Sequence, residues 1–135
     1  MALLTWTRKY SVGVKTLDEQ HMAFIGIINE LHGAMMKGRA AEVALPLLDK
    51  VMQYGHKHFA DEEALMQSTG FPSLAQHRAQ HQDLERKAAA YAQKAKNGDS
   101  TVFLPLLHFL RDWLNNHLVQ EDQKYTEWMH EHGIR

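Results

Sequence analysis

Apolar residues recur along most of the chain in alternating steps of three and four, the period of a helix that buries one face. Four stretches carry the pattern. The first runs through Leu17, Phe24, Ile28, Leu31 and Met35, and the second through Leu48, Val51, Gly55 and Leu65. Leu74, Leu84, Ala88 and Tyr91 make the third, and Leu106, Leu110, Leu114 and Leu118 the fourth. Between them lie turn signals at Gly38-Arg39, Thr69-Gly70-Phe71-Pro72 and Asn97-Gly98-Asp99-Ser100. The pattern therefore predicts helices over about 16–37, 41–68, 73–96 and 100–131, preceded by an extended arm over 1–15. Strand-like alternation is absent, and short connections between long amphipathic helices imply an all-α, antiparallel up-down-up-down four-helix bundle. Thr16 with Glu19 and Ser73 with Gln76 have the spacing of capping boxes at two helix starts. Pro46 and Pro105 should each sit near a helix start or kink the helix, because proline removes a backbone donor.

Length supports one domain spanning 1–135, since 135 residues is the size of a single hydrophobic core. With 44% apolar and 23% charged residues the chain has an ordinary globular balance. A formal charge of −1 offers no basic field for nucleic acid. Having no cysteine, the chain can form no disulfide, thiolate zinc site, Cys-ligated iron–sulfur cluster or thiol nucleophile. No stretch approaches the roughly 18–20 apolar residues that cross a bilayer. The first nine residues lack the basic and apolar regions of a signal peptide, so membrane insertion is not expected and a cytoplasmic location is.

Histidine is the exception to this ordinary composition, with ten in the chain. His21, His58, His77 and His81, together with Glu62, occupy positions on the apolar stripes of three helices. A single buried histidine is usually a hydrogen-bonded core residue. Four of them with a carboxylate on converging seams would each bear a desolvation cost, which a shared metal centre removes by turning their lone pairs into ligand bonds. Spacing supports this reading: His58/Glu62 and His77/His81 are both i, i+4 pairs, projecting from one helix face one turn apart. On the fourth helix, with Leu114 taken as zero, His117 lies at about −60° and Asp122 at about +80°, so both reach a centre in front of Leu114. Glu121, at about −20°, points inward at least as well, and geometry alone does not choose between the two carboxylates.

Imidazole ligands suit iron, zinc, copper and nickel rather than magnesium or calcium. Five imidazoles and two carboxylates exceed the needs of one tetrahedral zinc and fit two octahedral-type ions bridged by carboxylates. Iron is the expected metal, with a structural zinc as the alternative. The His-Glu-x-x-His helix of zinc proteases is absent.

These residues resemble the hemerythrins, specifically the single-domain bacterial ones (bacteriohemerythrins). The likeness starts at Trp6 and continues through Ser11-Val12-Gly13-Val14, Leu17-Asp18-Glu19-Gln20-His21, His58-Phe59 and Glu62-Glu63. It goes on through Gly70-Phe71-Pro72 and His77-x-x-x-His81 to Trp113-Leu114, His117, Asp122 and Lys124-Tyr125. The resemblance implies two iron ions per chain. His77, His81 and His117 would fill the coordination of one, while His21 and His58 would hold a second that keeps one open position. Glu62 and Asp122 would bridge them together with an oxo or hydroxo group, and the family pattern thereby prefers Asp122 to Glu121. The implied function is reversible dioxygen binding for transport, storage or delivery, without catalysis. Its partners would be dioxygen and an O2-consuming acceptor protein. The alternatives are O2 or redox sensing through the same site, which would need a separate signalling partner, and a di-iron enzyme consuming peroxide or NO. Oxygen-activating di-iron bundles typically carry two Glu-x-x-His motifs, and none occurs here.

Phe24 and Ile25, one turn after His21, and Trp113 and Leu114, one turn before His117, are candidates for the wall of an O2 pocket or for plain core. Leu114, flanked by two ligand positions, is the candidate for the gas path. Tyr125 either hydrogen-bonds within the bundle or simply packs. His32, His56, His108, His130 and His132 fall outside the ligand pattern and are expected at the surface or near the terminus.

Overall fold

In a computed structural model, which describes residues 3–38, 44–121 and 123–135, the chain is helical with no strand among them. Helices α1 (Lys15–Met36), α2 (Leu45–Thr69) and α3 (Leu74–Lys96) follow one another with short connections. Each packs on the next, and α4 (Phe103–Asn116) packs on both α3 and α1, which closes the bundle. Pro46 lies in the first turn of α2 and Pro105 in the first turn of α4, where the N–H that proline lacks has no helical partner in any case. Gly70 ends α2 in the left-handed region (φ 70°) with a pair of reverse hydrogen bonds, Gly70 N–H to Gln67 O and Phe71 N–H to Met66 O.

The fourth helix departs from expectation. Instead of one helix over 100–131, a 3₁₀ turn (Ser100–Val102) leads into α4, a π-helical turn (His117–Glu121) follows it, and α5 is Gln123–Glu131. A π turn accommodates one extra residue in a helical repeat and recurs at functional sites. Here it begins at His117, one of the expected ligands.

Neither capping box forms. Helix α1 is preceded by Val14, so Thr16 is already inside the helix. Ser73 does precede α3, but its backbone (φ −98°, ψ 19°) is not the extended conformation that brings a capping hydroxyl to the next turn. At the start of α1 the polar groups are committed to the arm instead. Asp18 Oδ2 accepts from the Ser11 hydroxyl at 2.6 Å and Oδ1 from the Val12 N–H at 2.8 Å. The arm is fastened further along by a Leu4–Asn29 pair of bonds, by the Tyr10 hydroxyl donating to Asn115 and by Thr126 donating to Val12 O. His130, expected at the surface, is half-buried with Nε2 2.7 Å from Gly13 O. Gly13 has φ 72°, so another residue there would be strained, and a Cβ would also stand 2.8 Å from the His130 ring. Replacing Asp18 by Ala is expected to cost about 1.5–3 kcal/mol, the worth of hydrogen bonds to a charged group. A thermal melt with Tm unchanged would show that the arm is held without it.

The core falls into two apolar clusters. The larger contains Phe24, Ile28, Leu31, Leu48, Leu84, Leu106, Leu110 and Leu114, and the smaller Val12, Val14, Leu17, Met66, Tyr125 and Met129. Two of the expected ligand positions fall where one cluster gives way to the other: His21 lies between Leu17 and Phe24, and Glu62 between Phe59 and Met66. Away from the centre the stripes drift: Met66, Ala92 and Ala95 are buried where Leu65 and Tyr91 are only half-buried. A straight α-helix slips about 20° per heptad against a 3.5-residue repeat, which accounts for the shift.

Candidate metal centre

Among the described residues six polar side chains are buried: His21, His58, Glu62, His77, His81 and His117. Four helical elements deliver them. His21 comes from α1, His58 and Glu62 from α2, His77 and His81 from α3, and His117 from the junction of α4 with the π turn. Glu62 is the hub, with no solvent exposure and different partners on its two oxygens. Oε1 lies 2.7 Å from His77 Nε2 and 3.2 Å from His81 Nε2. Oε2 lies 3.2 Å from His58 Nε2 and 3.6 Å from His21 Nε2. His117 joins the first set, its Nε2 3.1 Å from that of His81.

The donor atoms therefore form two groups that share one residue: Glu62, His77, His81 and His117, and Glu62, His21 and His58. Within each group the candidate ligand atoms lie within 4.8 Å of one another. Burial alone would push the Glu62 carboxyl up, but its contacts with His21, His58, His77 and His81 prevail and hold it well below the usual carboxylate range. A buried anionic carboxylate surrounded by imidazole nitrogens is a donor set able to hold a metal ion, and its chemistry suits the metals expected from sequence. Asp122, the second expected bridge, lies outside the described residues.

The outward ring nitrogens are also engaged. His58 Nδ1 is 2.7 Å from Gln20 Oε1, and the Gln20 amide donates to Asp61, which also receives Lys57. His81 Nδ1 is 2.9 Å from Glu63 Oε2, while Arg78 Nε donates to Oε1 of the same carboxylate at 2.8 Å. An acceptor at Nδ1 keeps the proton there and leaves the Nε2 lone pair facing the centre, the usual support of a metal-bound histidine. Nothing in the hydrophobic period singles out Gln20 and Glu63; the available signal was a long polar residue beside a seam histidine or carboxylate. Tyr125 is fully buried and donates its hydroxyl to Glu62 Oε2 at 3.1 Å, so it both packs and hydrogen-bonds.

Aromatic rings wall the three-histidine side. Trp113 stacks on His117 with centroids 4.2 Å apart, and Phe59 stacks on His81 at 4.0 Å. Leu114 and Ile25 are buried in the larger apolar cluster. Phe24, also buried there, stacks against Tyr54. His56 and His132 are exposed, as is His108, and His32 is half-buried.

Residues 12–129 match the Hemerythrin HHE cation binding domain. A bacteriohemerythrin of Stenotrophomonas maltophilia (strain R551-3) is 33% identical over 132 residues, covering 98% of this chain and 85% of that protein. One from Methylococcus capsulatus (strain ATCC 33009 / NCIMB 11132 / Bath) is 34% identical over 126 residues, covering 93% and 95%. Among solved structures, a wild-type hemerythrin superposes with a TM-score of 0.87 at 33% identity, over 93% of this chain and 97% of that one. Over nearly its full length the chain belongs to the hemerythrin family of iron-containing, oxygen-binding proteins, and its buried histidine–glutamate cluster is able to hold a metal ion.

Proposed function

We propose that the chain binds dioxygen reversibly at a pair of irons held between the two apolar clusters, and that it carries, stores or delivers the gas in the cytoplasm. One observation carries this reading: the two oxygens of a single buried carboxylate are divided between a three-histidine and a two-histidine group. In the proposed site His77, His81 and His117 serve one iron and His21 and His58 the other. Glu62, and by the family pattern Asp122, would be shared by the two irons together with an oxo or hydroxo group. By the family resemblance the iron at His21 and His58 would keep the open position, in keeping with the fewer donors that group has among the described residues. When bound, two ferrous ions supply the two electrons by which dioxygen is taken up and given back. The whole chain, 1–135, is read as one such domain.

The protein's own residues account for reversibility. Gln20 and Glu63 hold His58 and His81 with their protons outward, so neither ring presents an acid to the bound gas. Phe59, Trp113 and Leu114 keep the surroundings apolar, which favours release of intact dioxygen over protonation and loss of peroxide. No helix among the described residues is long and apolar enough to cross a membrane, in keeping with a diffusing carrier.

The deciding experiment is an iron count with optical spectra through repeated cycles of anaerobic reduction, exposure to air and deoxygenation. Two irons per chain with an oxygen-dependent band that returns each time is the expected result. A single irreversible oxidation would replace carriage by sensing or by turnover of peroxide or NO, and zinc in place of iron would overturn the reading altogether. Leu114, buried one turn before His117, is proposed to lie on the gas path. Leu114→Ala is expected to raise the O2 association and autoxidation rates several-fold. Stopped-flow traces with association, dissociation and autoxidation all unchanged would remove Leu114 from the path.

A further inference from the structure

An apolar cavity of about 20 Å³ is lined by residues of α1, α2, α3 and α4. Its walls are Phe24, Gly55, Phe59, Leu84, Ala88 and Leu110. The polar side chains at its edge are His56 and Glu85, which pair with each other at 3.2 Å. His56 is 75% exposed and Glu85 35%, so this pair marks the end that faces solvent. We propose that the cavity is a docking site for dioxygen on its way to the metal centre. The identity of the gas rests on the oxygen-binding reading above; the cavity does not.

Size and polarity both favour a small apolar occupant. A water molecule needs about 10–15 Å³ and two to four polar partners, so the space suffices for one water-sized or diatomic molecule. Apart from His56 and Glu85 the lining is apolar, so a water inside would find few polar partners and an apolar molecule is the better occupant. Small residues on facing helices keep the space open. Gly55 interrupts the seam of α2, where glycine costs about 1 kcal/mol relative to alanine. A Cβ at that position would stand 3.3 Å from the Phe24 ring, crowding one wall of the cavity. Ala88 faces it from α3, where the pattern would accommodate a leucine.

Phe59 links the cavity to the centre. The ring that lines the cavity also stacks on His81 at 4.0 Å and lies 5.8 Å from His58, so it touches a ligand of each histidine group. Leu110, which also lines the cavity, is one turn before Leu114 on α4. A gas molecule held here needs only a movement of the Phe59 ring to approach the two-histidine side.

Crystals of the iron-loaded chain pressurised with xenon test the site. One xenon in contact with Phe24, Phe59 and Leu110 is expected in the wild type and none in Ala88→Leu; an empty cavity in the wild type overturns the proposal. In stopped-flow measurements Ala88→Leu is expected to slow O2 association and dissociation by a common factor of roughly three or more, leaving affinity unchanged, because both directions pass one obstacle while the bound state is untouched. Unchanged rates in a variant that has lost the xenon site overturn the route. Ala88→Val, a smaller filling, repeats both measurements should leucine prevent folding. A wild type with no oxygen-dependent band would remove dioxygen as the occupant, and that failure is distinguishable because xenon reports on the cavity without any oxygen chemistry.

Discussion

Glu62→Gln is expected to abolish the two-iron centre while leaving the bundle folded. Glutamine has nearly the shape of glutamate but only one oxygen, so it can serve one of the two histidine groups and presents N–H donors to the other. Glu62 is completely buried, so bulk solvent does not reach it to take over the lost acceptor. The substitution also removes the negative charge that balances the cations. Iron per chain should fall from two to one or fewer, and the oxygen-dependent band should disappear. Iron loading should also raise the Tm of the wild type, since a ligand that binds only the native state stabilises it by mass action, and should do so little or not at all in the variant. The metal-free variant should itself be less stable, by about 3–5 kcal/mol, because the contacts of four buried histidines lose their charged partner. Glu63→Gln is the control. Glu63 meets His81 at its outward nitrogen, and loss of such a supporting carboxylate typically weakens metal binding about 10–100-fold without removing the site. A Glu62→Gln protein that keeps two irons and an unaltered spectrum would mean that the carboxylate is not the bridge.

The contrast between Glu62 and Glu63 also shows where sequence reasoning runs out. Glu62 was legible because it violates a pattern: a carboxylate at a seam position must be neutralised, protonated or bound to something. The same logic picked out His21, His58, His77 and His81, and the structure brings all of them together with His117. Glu63 and Gln20 violate nothing. They stand beside the seam, where polar residues are expected, and reach His81 and His58 only through side-chain length across a helix–helix contact. The break in the fourth helix was illegible for a related reason. His117–Glu121 contains no glycine or proline, and a π turn there changes hydrogen bonding without changing residue type. The capping boxes failed because α1 starts one residue before Thr16 and because the Ser73 backbone is not extended, and the tertiary fold sets both. Local patterns thus located the elements and the buried histidines and carboxylate, while features set by tertiary partners needed coordinates.

Phe59→Ala should produce the largest loss of stability at a residue that contributes no metal donor. The ring is 4% exposed and packs on His81, on Trp113 at 5.8 Å and on His58. Truncating a buried phenylalanine costs about 3–5 kcal/mol through lost transfer energy and the cavity left behind. For a chain of this size that corresponds to a Tm lower by roughly 10–20 °C. The void would merge with the existing cavity beside Gly55 and Ala88, carrying the opening beneath His56 and Glu85 inward to the ligands. Water admitted there can hydrate and protonate what an apolar site would release as dioxygen, so autoxidation should accelerate together with the fall in Tm. Phe59→Leu separates the two effects: it retains most of the volume, should lose far less stability and should leave the ligands shielded. If Phe59→Ala melts lower but autoxidises at the wild-type rate, the ring serves packing alone. If autoxidation rises in Phe59→Ala and not in Phe59→Leu, the barrier between solvent and the irons is this one side chain.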